Sequence, residues 1–229
     1  MKNIFELYNG NFTKEHNIVR TLEDIEECIT RIDYLPPPPC DHENPVERMS
    51  IPMVADSFYS YLFEYDTIPS KEELVKKYLQ DNSEELYKVE SVIGNVGNPQ
   101  EHKSFMLSLL GRLYRTYPSL IRDYHCYIML YYSKMFDWVW YSTYNDTMNG
   151  VDIMVGYRGK KIGLNLFIGT PRSMEYRKLK KDRHPQSDFD MIDVALTFSS
   201  VLCQKLGNIY TYSKAVIPYI ISKIEIQSS

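Results

Sequence analysis

FDWVWYS at residues 136–142, VDIMVGY at 151–157 and IGLNLFI at 162–168 are the three pieces whose reading decides the fold. Each is short, β-branched or aromatic, and bounded by turn residues, which is the pattern of a strand. Asn145–Gly150 reads as a turn, and Arg158-Gly159 fits a two-residue hairpin loop. In that hairpin Tyr157 pairs with Lys160, so the register puts Asp152 directly opposite Asn165, with Gly163 and Phe167 on the same face. A carboxylate at the head of one strand and a polar group on its neighbour form a rigid start for a divalent-metal cage.

Working outward, Ser119 after Pro118 caps an expected helix to about Met135. Thr170, Pro171 and Ser173 open a basic helix to about Asp182. Met191–Phe198 and Ile209–Tyr212 read as strands, and Val216–Ile226 as a last helix or strand. The region before this core reads as helices and turns. Thr21–Ile32 spaces Leu22, Ile25, Ile29 and Ile32 along one helical face. Pro36–Pro39 enforce an extended segment. Ser57–Tyr65 is aromatic and fits either helix or strand, while Ser70 caps a helix bearing Leu74, Tyr78 and Leu79. His102–Tyr114 reads as a helix ending before Pro118, since the residue before a proline disfavours the α region. The expected organisation is an acidic, mainly helical region at 1–115 and a mixed-sheet core at 116–229, an α/β (α+β) protein.

Composition narrows the classes. The chain has 229 residues, 44% hydrophobic and 24% charged, enough for a real core. Twenty tyrosines suit half-buried sheet faces and wet interfaces. Its first twelve residues lack a signal-peptide stretch, and no apolar run reaches the ~18 to 20 residues of a membrane span. Cysteines at 28, 40, 126 and 203 have no metal or disulfide spacing, so reduced thiols in a cytoplasmic setting are expected. No glycine-rich phosphate loop occurs. The net charge of −4 divides unevenly: residues 1–115 hold 20 acids and 12 bases, residues 116–229 hold 10 acids and 14 bases. An anionic partner therefore suits the second half, and a basic protein partner the first.

Gly150-Val151-Asp152-Ile153 and Leu164-Asn165-Leu166-Phe167, together with the order helix, three strands, helix, strand, resemble the restriction-endonuclease-like, or PD-(D/E)XK, nucleases. The resemblance covers roughly residues 116–212. It implies an αβββαβ core in which an Asp enters the second strand and Glu-x-Lys lies on the third. Here Asn165 stands at the Glu position and Phe167 at the Lys position. The resemblance implies Mg²⁺ held by Asp152 and Asn165, with Asp123 as the helix acid that some relatives carry. Lys161, or alternatively Lys160 or Arg172, would be the relocated cation. It further implies a phosphodiester-cleaving protein of a defence, phage or mobile-element system, with DNA favoured over RNA. The alternative is a catalytically degenerate nuclease-fold subunit that binds nucleic acid or a protein partner in a larger complex. In an active enzyme, Asp152 would be dispensable for stability.

TPRSMEYRKLKKDRH at 170–184 carries Arg172, Arg177, Lys178, Lys180, Lys181 and Arg183 against Glu175 and Asp182. At helical spacing Arg177, Lys180, Lys181 and His184 share a face, a stripe suited to phosphates. A helix kept soluble by its charge is the competing reading. Asp123 and His125 lie two apart, so on a helix they point to opposite sides, and His125 reads as a packing histidine. Arg122 reads as a salt-bridge or capping residue, and Cys126 as a buried thiol. Trp138 and Trp140 share a face with Phe136 and are expected to pack against a helix rather than stack on bases. Cys40-Asp41-His42-Glu43 would need partners from elsewhere to hold a metal.

Overall fold

A computed structural model describes residues 2–9, 12–15, 20–35, 46, 51–92, 99–170, 173–174 and 189–227. The chain is a mixed α/β protein whose strands are β1 (Lys2–Asn9), β2 (Phe12–Glu15), β3 (Trp138–Ser142), β4 (Ile153–Tyr157), β5 (Lys160–Ile168), β6 (Asp190–Leu196), β7 (Cys203–Leu206) and β8 (Ile209–Tyr212). Helices among the described residues are α1 (Leu22–Thr30), α2 (Val54–Tyr65), α3 (Lys71–Asp81), α4 (Ser83–Val92), α5 (Pro99–Ser133), α6 (Thr143–Asn149) and α7 (Val216–Gln227).

The first six strands form one sheet in the order β2-β1-β3-β4-β5-β6, and β7 and β8 form a separate ribbon. β3 and β4 are antiparallel, as are β4 and β5, whereas β5 and β6 run parallel. The hairpin has the expected register, from Tyr157↔Lys160 to Ile153↔Leu164. Gly159 at φ 76 and Arg158 at φ 50 supply the left-handed pair that such a tight turn needs.

Two compact units result. One comprises 1–32 with 121–229, the other 33–120. These limits differ from a division at 115/116, because β1 and β2 lie at the start of the chain and β1 pairs in parallel with β3 through Lys2↔Trp138 to Glu6↔Ser142. The opening stretch joins the sheet rather than the helical region. Its contribution comes from a long-range partner, which local patterning does not reveal.

In the sheet unit, alternation divides the faces. Val139, Val155, Ile162, Leu164, Ile192 and Val194 are buried on one face. Residues 121–133 of α5 pack there, with the Tyr127 and Tyr141 rings 6.2 Å apart and edge to face. Trp138, Gly156, Gly163, Asn165 and Asp193 belong to the other face. Trp138 and Trp140 are half-buried on the face turned away from α5. Phe136 is buried, yet it precedes β3 and meets Tyr157 instead. Trp138 lies flat on the β4 backbone: a Cβ at Gly156 would come within 2.2 Å of its indole nitrogen. α7 buries Val216, Ile220 and Ile224 at four-residue steps. Its Glu225 accepts from Tyr157 at 3.1 Å and pairs with Arg158 at 3.0 Å.

In the unit of residues 33–120, Ser57–Tyr65 resolves as helix, ending at Asp66 in the left-handed region (φ 48). Ser70 and Glu73 form a capping box that starts α3. The tyrosines act as long-range ties: Tyr78 donates to Pro52 O at 2.9 Å and Tyr117 to Pro69 O at 2.6 Å. α5 does not break at Pro118. Proline removes one donor and frees the carbonyl four residues back. That carbonyl, Tyr114 O, accepts instead from the Tyr34 hydroxyl at 3.4 Å. Ser119, expected as a cap, donates to Thr116 O inside the same helix.

The Gly156 contact makes a direct prediction. Gly156→Ala should displace the Trp138 indole and destabilise the sheet unit by about 1–3 kcal/mol, the range of overpacked cores. A lowered urea midpoint with a shifted tryptophan emission spectrum would register it; an unchanged midpoint would contradict the contact.

Candidate functional site: the start of β4

The β4–β5 ladder ends with a slip. Ile153 faces Leu164, and the Asp152 N–H also donates to Leu164 O at 3.0 Å. Two residues of one strand thus stand against one of its partner, the arrangement of a β-bulge. One extra residue reverses the alternation, so Asp152 is not opposite Asn165. Its carboxylate instead accepts the Leu166 N–H at 2.5 Å, completing the edge that the bulge interrupts.

The electrostatics agree with this turn. Burial pushes the Cys126 thiol well above its ordinary value, and the Asp123 and Asp152 carboxylates add to the effect. Burial likewise raises the Tyr212 phenol, reinforced by Cys126, Asp123 and Asp152 and opposed by Arg122. Asp123 on α5 and Asp152 at the bulge therefore act on the same two buried groups on the α5 side. Tyr212 ties the region together: its hydroxyl accepts the Phe167 N–H at 3.1 Å and donates to Val194 O at 2.9 Å.

Asn165 belongs elsewhere. It pairs in register with Asp193, and its amide donates to the Asp193 carboxylate at 3.2 Å on the opposite face. Its Oδ1 is buried without a hydrogen-bond partner. Lys161 lies four residues back along β5, ~13 Å at the rise of a strand. Its ammonium sits 5.0 Å from the centre of the Phe189 ring. Asp123 and Asp152 both act on Cys126 and Tyr212, and the structure joins neither Asn165 nor Lys161 to that region. The β5 side chains Ile162, Leu164 and Leu166 share the α5 face, and all are apolar and buried. Among the described residues no group of three or more His, Cys, Asp and Glu could hold a metal ion. A Mg²⁺ cage of Asp152, Asn165 and Asp123 does not fit these positions, so no catalytic step is derived through one. Arg172, Arg177, Lys178, Lys180, Lys181, Arg183 and His184 lie outside the described residues, as do Pro36–Pro39 and Cys40–Glu43.

A second polar cluster was only half legible. His125 is fully buried, and its Nε2 lies 3.1 Å from Glu26 Oε1, which also accepts from Gln204 at 3.2 Å. The cluster joins α1, α5 and β7, elements 99 and 178 residues apart from Glu26 along the chain. Arg122 is buried beside it and donates to Tyr210 O at 3.1 Å. The sequence marked His125 as a packing histidine; nothing in it pointed to Glu26 or Gln204.

Comparison with known proteins returns nothing: no family model matches the chain, and no curated protein or solved structure is similar to it. No helix among the described residues is long and apolar enough to cross a membrane.

Two predictions follow from the geometry. Asp152→Ala removes the acceptor of a backbone N–H and should cost about 1.5–3 kcal/mol of stability, the range for hydrogen bonds to charged groups. Urea denaturation measures it, and an unaltered midpoint would leave Asp152 without this structural role. The Glu26 carboxyl is held below its ordinary value of 4.5, first by the His125 hydrogen bond. Ionising more readily folded than unfolded, it stabilises fully above pH ~4.5, and that contribution is lost as the pH falls through its folded value. The stability gap between wild type and Glu26→Gln should accordingly narrow between pH 6 and pH 3; a gap constant over that range would refute the linkage.

Proposed function

We propose that this protein is a catalytically degenerate, restriction-endonuclease-like fold that works as a nucleic-acid-binding subunit. The order of α5, β3, β4, β5 and β6, with β4 antiparallel and β5 and β6 parallel, supports the αβββαβ reading. A parallel pair requires a crossover connection, and the basic run Arg172–Arg183 falls within this one. That run, in a half of the chain with excess base, supports a phosphate-rich partner, with DNA favoured. The observation that carries the loss of catalysis is the bulge. Asp152 and Asp123 lie toward α5, Asn165 pairs with Asp193 on the other face, and the intervening positions are leucines. Among the described residues no group of three or more His, Cys, Asp and Glu offers a carboxylate cage for a metal. The excess of acids over bases in residues 1–115 suits a basic protein partner in a larger complex.

The competing reading is an active Mg²⁺-dependent nuclease of a defence, phage or mobile-element system. Labelled duplex and single-stranded DNA and RNA, incubated with the full chain and Mg²⁺ or Mn²⁺, decide between them. Degeneracy predicts binding without cleavage. Replacing both Lys180 and Lys181 by Glu should weaken duplex binding and reduce its salt dependence by about 0.9 per lost phosphate contact. Metal-dependent cleavage abolished by Asp152→Asn would overturn degeneracy; absence of any nucleic-acid binding would overturn the proposal altogether.

A further inference from the structure

No further inference is drawn: the strongest candidate, the exposed apolar patch of Phe198, Val201 and Tyr210 at the β7–β8 ribbon, is a surface for which nothing in the structure shows what covers it.

Discussion

The Leu164 carbonyl carries the constraint around which the centre of the sheet unit is arranged. It faces Ile153 in the regular ladder and also accepts from Asp152, so one acceptor serves the end of a strand and the residue before it. The extra residue would leave the next β5 donor, Leu166 N–H, without a backbone acceptor at a partly buried position, and a lost partner there costs about 1–3 kcal/mol. Asp152 fills the gap with its own carboxylate. Its negative charge, with that of Asp123, adds to the burial that raises the Cys126 thiol and the Tyr212 phenol. A residue type that would suit metal binding is thereby committed to holding a backbone edge.

The two faces of the sheet solve different problems. Toward α5, branched aliphatic side chains interdigitate with a helix in ordinary close packing. On the other side, an indole lies directly on glycine at Gly156, while Met191 and Phe189 occupy the space a Cβ at Gly163 would need. Asn165 and Asp193 form a polar pair on this second face. Polar groups on opposite faces of a sheet cannot converge on one ion, however close they are along the chain.

Long-range ties from tyrosine, histidine and arginine hold the helices where hydrophobic contact alone is not directional. Tyr34 satisfies the carbonyl freed by Pro118, and Tyr78 and Tyr117 donate to the carbonyls of Pro52 and Pro69. Glu26 gathers His125 and Gln204, which fixes α1 against both α5 and the ribbon. The twenty tyrosines are thus partly accounted for by hydroxyls that complete backbone carbonyls inside otherwise apolar packing.

The sequence by itself determined the hairpin register, the strands read at 136–142, 151–157 and 209–212 to within two residues, the capped starts of α1 and α3, and the burial of His125 and Cys126. All are local: a two-residue loop, alternation over five residues, or a cap three residues from its partner. Only tertiary structure decided that β1 enters the sheet beside β3 with β2 at its outer edge, that α5 runs through Pro118, and that the aromatic stretch at 57–65 is helical. The same holds for Asp152. A single backbone hydrogen bond to Leu164 O shifts the count by one and reverses its side, and a period of two has no memory of its own to resist a slip. Strand patterning locates a side chain along the chain; which face receives it depends on a partner strand whose register can change by one residue.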